Sequence, residues 1–120
     1  MKLTTLKAAL AACVGAALLS GCGTPPKYLY QWGDYQAQVY QHFKGDSPEQ
    51  QIIVLEKNLQ QIGANGNLPP PGYHAHLGLL YSITGKSDLV VARFEDEKKL
   101  FPESAVYMDF LLKKTQKGEK

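Results

Sequence analysis

Cysteine is nearly absent from this chain: its 120 residues hold two, Cys13 and Cys22. Beside them stand three histidines, His42, His74 and His76. A structural or catalytic zinc needs three or four converging ligands. His74 and His76, two apart, would leave a helix about 200° from each other, so no metal site is expected. Charge of one sign is lacking too. Lys2 and Lys7 stand in the first seven residues, and beyond them 11 basic side chains face 11 acidic ones. A neutral body carries no electrostatic footprint for nucleic acid and no polybasic patch for anionic lipid. Long hydrophobic runs are also missing. Ala8 to Leu19 is about a dozen residues, whereas a membrane-spanning helix needs roughly 20. No GxSxG elbow, P-loop or Rossmann fingerprint occurs. Glu95-Asp96-Glu97 followed by Lys98-Lys99 reads as the wet face of a helix with i,i+3 and i,i+4 charge pairs. Lys113, Lys114 and Lys117 read as a solvated helix end favoured by the macrodipole. The expectation is a non-enzyme without metal or cofactor.

What is present begins at the N-terminus. Met1 to Lys7 is short and polar, Ala8 to Leu19 is apolar, and Leu19-Ser20-Gly21-Cys22 follows. An aliphatic residue, two small residues and a cysteine resemble the lipobox of bacterial lipoproteins at every position. The resemblance implies that residues 1–21 are a signal peptide removed on export and that Cys22 is acylated. Each buried CH₂ contributes about 0.8 kcal/mol, and two or more chains give stable anchoring. Gly23 and Thr24 follow the cysteine, with no Asp beside it, which by resemblance implies the outer membrane, periplasmic face. Residues 22–29 form a tether with Pro25 and Pro26. At about 3.3–3.6 Å per residue, Cys22 to Lys27 reaches about 20 Å, so the domain is expected to sit against its membrane. Without a disulfide, helix packing alone must hold residues 30–117, the expected domain, followed by a disordered tail over 118–120.

Helical periodicity dominates that domain. Trp32, Tyr35, Val39, Tyr40 and Phe43 fall on one face of a first helix. Ser47 and Pro48 are a cap and first position for a second, whose face is Ile52, Leu55, Leu59 and Ile62. Gly63 and Asn65-Gly66-Asn67 stop it, and Leu68-Pro69-Pro70-Pro71-Gly72 is an extended connector. A third helix, about Tyr73 to Thr84, aligns Leu77, Leu80, Tyr81 and Thr84. A fourth, about Asp88 to Leu100 with Ser87 or Asp88 as cap, aligns Leu89, Val90, Arg93, Phe94 and Glu97. A fifth, about Glu103 to Thr115, carries Val106, Tyr107, Phe110, Leu111 and Lys114 as its face, and Gln116 to Lys120 is a polar, frayed end.

Leu77-Gly78, Tyr81, Gly85, Phe94 and Pro102 match the spacing of a tetratricopeptide repeat. Gly78 would let paired helices approach, Tyr81 and Phe94 would fill the space between them, and Pro102 would close the unit. His74 stands where that repeat has tryptophan, and Val90 and Glu97 where it has alanine. The predicted fold is all-α: a short tetratricopeptide-like solenoid of two helical hairpins plus a C-terminal capping helix. The alternative is an unrelated helical bundle. Solenoids usually need three or more repeats, so a partner or a second copy is expected over an exposed face. The whole layout resembles a family of small Gram-negative lipoproteins labelled domain of unknown function 4810, carried by the lipobox, by Lys27-Tyr28-Leu29-Tyr30-Gln31-Trp32-Gly33-Asp34-Tyr35 and by the hairpin. In that family the genes tend to lie beside other envelope lipoproteins, one of them similar to the curli secretion-channel lipoprotein. The resemblance implies an accessory role in an envelope assembly.

Aromatics crowd the domain's start: Tyr28, Tyr30, Trp32 and Tyr35. Three roles fit them: packing the first helix, contacting a partner, or sitting at a membrane–water boundary. The expected function is a protein-binding adaptor anchored by its acyl chains. Its groove would be lined by Trp32, Tyr35, Gln36, Tyr40, Tyr73, His74 and Tyr81, and its partners would be other envelope lipoproteins or an outer-membrane channel component. A homo-oligomer is also a candidate. The alternative is a pilotin-like lipoprotein escorting an outer-membrane channel subunit, or a regulator of cell-wall synthesis, against which the short tether argues.

Overall fold

Gly33 and Asp34 turn the chain into its first long helix, α1, Tyr35–Lys44. The computed structural model describes residues 1–7, 23 and 27–118. Residues 8–22, with the apolar run and Cys22, lie outside the described residues, as do residues 119–120. Among the described residues all regular elements are helical, as the spacing of apolar residues predicts. α1 begins three residues later than the aromatic spacing suggests, because the Tyr35 N–H already closes a turn on the Trp32 carbonyl at 3.1 Å. α1 packs chiefly on the helix that follows it, and through Tyr35 and His42 it also touches Tyr73 and His76 of the helix after that. No residue of it is buried, Tyr35 and Val39 are half-buried, and Tyr40 and Phe43 face out.

α2, Pro48–Ala64, starts as its sequence dictates. Pro48 takes the first position and Ser47 Oγ accepts the Gln50 N–H at 3.4 Å, relieving one of the orphan donors of the first turn. Ile52, Leu55 and Ile62 are buried, each contributing about 1.5–3 kcal/mol. The helix runs one residue past Gly63, to Ala64. Pro69 and Pro70 are buried in the connector. Gly72 follows at φ +89°, and a Cβ there would meet the Tyr35 hydroxyl at 3.0 Å, so only glycine fits.

α3, Tyr73–Ile83, and α4, Ser87–Leu100, fold back on each other across Thr84–Lys86 and form the most extensive helix pair. Neither expected cap operates on α4: Ser87 is already helical and Lys86 stands at the cap without a side-chain bond. The close approach is carried as expected by Gly78, where a Cβ would lie 2.5 Å from Phe94 Cε1.

Glu97 corrects the reading of its charge run as a wet face. It is 1% exposed. Its carboxylate accepts the Gly72 N–H at 2.6 Å and the Ala75 N–H at 3.3 Å. A carboxylate from α4 therefore caps the start of α3, where unpaired N–H groups and the positive end of the helix dipole converge.

A 3₁₀ turn, Pro102–Ser104, leads into α5, Ala105–Gly118. α5 extends beyond the expected frayed end at Gln116. Its inward face also differs from the expected one. Met108 and Leu112 are buried, while Val106, Tyr107 and Phe110 are exposed. Apolar residues occupy most of the circumference of α5, so its periodicity admits two faces. Contact with α4 selects one, with Lys98 Nζ reaching Asp109 at 2.6 Å beside Met108 and Leu112. No helix among the described residues is long and apolar enough to cross a membrane.

Candidate binding groove

α3 is apolar on two sides, and the two sides meet different neighbours. Tyr73, Leu77, Gly78, Leu80 and Tyr81 turn into the core. Ala75, His76, Leu79 and Ser82 form one wall of an open groove of about 580 Å³. The other wall is α5, through Tyr107, Leu111, Lys114 and Thr115, and Phe94 of α4 forms the floor. The volume falls within the range of sites that bind small molecules or a few side chains of a partner. Leu79 and Tyr107 are exposed along it. The apolar surface continues over α5, where Tyr107 and Phe110 stack at 6.4 Å and Lys114 Nζ lies 4.9 Å from the Phe110 ring.

His76 joins this groove to α1. Its ring is edge-on to His42 at 5.3 Å and to Tyr35 at 6.0 Å. Its buried Nε2 has no protein partner. Burial, reinforced by His42, lowers its pKa to about 4, so the imidazole is neutral near pH 7. The groove thus offers apolar walls, a neutral imidazole, the hydroxyls of Ser82, Ser87 and Thr115, and one cation at the rim, Lys114.

The residues expected to line a groove do not line this one, although three of them meet in an aromatic cluster. Trp32 lies 6.1 Å from Tyr35, which stacks on Tyr73 at 5.0 Å; burial, then Glu97, raises the Tyr35 pKa. Gln36 and Tyr40 are exposed on α1, Tyr40 beneath Lys44 at 5.3 Å. Tyr73, His74 and Tyr81 are buried, and for these three the expected groove position gives way to packing. The Tyr73 hydroxyl donates to the Leu55 carbonyl at 2.7 Å, and the Tyr81 hydroxyl donates to Glu56 at 2.7 Å. Arg93 ties Glu56 (3.3 Å) to Asp96 (3.0 Å), and His74 Nδ1 lies 3.9 Å from Asp96. Burial raises both tyrosines, Tyr81 to about 12. Burial lowers His74, with Asp96 opposing. The two tyrosine hydroxyls find partners and so belong to the core, while His74 Nδ1 is buried beside Asp96 without a hydrogen bond.

Leu79, Tyr107 and His76 line the groove without standing out as site residues in the sequence. Leu79 falls off the Leu77–Leu80–Tyr81 stripe, and an apolar residue off the packed stripe is the signal that could have found it. His74 and His76 leave α3 on opposite sides, as their spacing requires. Among the described residues no group of three or more His, Cys, Asp or Glu could hold a metal ion. Cys22, the expected lipidation site, lies outside the described residues.

In comparison with known proteins, a family model described as Domain of unknown function (DUF4810) matches residues 29–111, well over half of the chain. No curated protein and no solved structure matches it.

Proposed function

The chain belongs to the DUF4810 family, and from that premise we propose that it is a lipid-anchored, protein-binding adaptor of the bacterial envelope. The observation that carries the binding role is the groove between α3 and α5. A large apolar cleft bordered by exposed Leu79, Tyr107 and Phe110 costs solvation free energy while empty, and such patches mark interaction sites. The partner we propose is an apolar segment of another envelope protein, a lipoprotein or a channel subunit, seated against Leu79, Phe94, Tyr107 and Leu111.

The anchor reading rests on sequence. Lys2 and Lys7, a short apolar run and Leu19-Ser20-Gly21-Cys22 form a lipoprotein signal. It makes residues 1–21 a leader and Cys22 the acylated N-terminus, on the periplasmic face of the outer membrane. We read the two hairpins as tetratricopeptide-like, supported by the close contact of Gly78 with Phe94. In such an arrangement the first helix of each hairpin and the capping helix share one face, and the groove walls come from α3 and α5.

A photo-crosslinking side chain placed at Leu79 in intact cells tests the reading. It should yield discrete adducts with an envelope protein, and the same probe at Ile53, exposed on α2 away from the groove, should not. Equal labelling at the two positions, or none at Leu79, would refute the groove as the binding surface.

A further inference from the structure

The connected helices fold back on one another, so the starts of α1, α3 and α5 and the ends of α2 and α4 gather at one end of the domain. Contacts across that end fix how the chain enters it. The Gln31 N–H donates to the Leu68 carbonyl at 2.8 Å. Gln31 Oε1 accepts from Asn67 Nδ2 at 2.7 Å and from Asn65 Nδ2 at 3.1 Å. One residue earlier, the Tyr30 ring meets Phe101 edge-on at 5.8 Å. The entering segment is thus pinned to the α2–α3 connector and to the α4–α5 corner.

Just outside these pins the surface is apolar. Tyr28 is 79% and Leu29 75% exposed, and Leu68 and Trp32 are exposed at the same end. Tyr28 stands six positions after Cys22, a reach of at most about 20 Å. Acyl chains on Cys22 would hold this cluster within that distance of hydrocarbon. The mature chain is neutral, so attraction to charged headgroups would not seat it. Apolar and amphipathic side chains would, and Tyr and Trp favour the headgroup level, where one end of the ring is dry and the other wet.

We infer that this end of the domain rests on the phospholipid surface, with Tyr28, Leu29, Trp32 and Leu68 at headgroup level. The inference rests on the lipid-anchor reading and adds an orientation to it. The groove, whose walls run along α3 and α5 away from this end, then points into the aqueous space, and its partner approaches from there.

Trp32 is the only tryptophan in the chain and reports directly on this contact. The protein extracted from its own membrane would be reconstituted into phosphatidylethanolamine–phosphatidylglycerol vesicles, with or without brominated acyl chains, and the mass of its N-terminal peptide read from the same preparation. The expected result is loss of Trp32 emission in brominated vesicles, larger when the bromines sit near the headgroups than near the chain ends. Replacing Tyr28→Ser and Leu29→Ser together should restore much of the emission and leave the circular dichroism melt unchanged. Emission insensitive to bromine in a preparation whose N-terminal peptide carries acyl mass would overturn the inference and leave the anchor standing; that end would then face water or a protein. Quenching unaltered by the double substitution would also overturn it. An N-terminal peptide without acyl mass would overturn the anchor reading, and this inference with it.

Discussion

Removing the Glu97 carboxylate should cost more stability than removing any exposed charge on α4. In the folded chain its two oxygens take up the Gly72 and Ala75 N–H groups at 2.6 and 3.3 Å, at the start of α3. A hydrogen bond to a charged group contributes about 1.5–3 kcal/mol, and a partly buried charge at a helix end up to about 2 kcal/mol. These contributions overlap. Glu97→Ala also leaves a buried donor unpaired and a small void, so the expected loss is about 3–5 kcal/mol. Set against roughly 5–15 kcal/mol for a whole domain, that is a large fraction. Glu97→Gln keeps one acceptor near Gly72 and should cost about half as much. Glu95→Ala removes an exposed partner of Lys98 at 3.1 Å and should stay within about 0.5 kcal/mol. Urea unfolding of residues 23–120, followed by circular dichroism and Trp32 emission, reads all three, with an unchanged denaturant slope as the check on two-state behaviour. If Glu97→Ala and Glu95→Ala shifted the midpoint equally, the capping role would be refuted.

Gly78→Ala forces the Phe94 ring to move, since the new Cβ would lie 2.5 Å from Cε1; a loss of about 1–3 kcal/mol is expected, partly recovered in Gly78→Ala with Phe94→Leu, and additive losses in that double variant would contradict it. Stability should also depend on acid. His76 sits at about 4 against an ordinary 6.5, so between those values the unfolded chain binds more protons; stability is complete above about 6.5 and falls as pH drops toward 4. Allowing for partial exposure, the fall is about 1–3 kcal/mol, and His76→Phe should flatten the urea midpoint between pH 7 and 4.5. Tyr81→Phe loses the bond to Glu56 and should cost about 1 kcal/mol, while Tyr107→Ser, at an exposed groove position, should leave the midpoint within about 0.5 kcal/mol and still abolish adducts from a probe at Leu79.

What was legible in the sequence is what local spacing controls. Ile52, Leu55 and Ile62 mark the buried stripe of α2 unaided, Ser47-Pro48 starts that helix as written, and Gly78 opposite Phe94 follows from a spacing that only a tight helix pair satisfies. The misreadings fall where distant segments decide. Glu97 looks solvated inside Glu-Asp-Glu-Lys-Lys, yet the α3 N-terminus, 22 to 25 residues away, binds it. Tyr73, His74 and Tyr81 carry polar atoms that suggest a surface, but Leu55 and Glu56 of α2, with Arg93 and Asp96 of α4, receive or face them inside the fold. The rotation of α5 was undetermined because apolar residues ring it. Once α4 takes Met108 and Leu112, the leftover Tyr107 and Leu111 become the groove wall with Leu79. The groove therefore belongs to tertiary packing, and single-helix periodicity could not show it.

The proposed role depends on where this helical body is held. The most direct measurement is the mass of the N-terminal peptide of the protein extracted from its own cells. Acyl chains on Cys22, with residues 1–21 gone, is the predicted result. A free Cys22 thiol in a water-soluble protein, or a leader still attached, would contradict it.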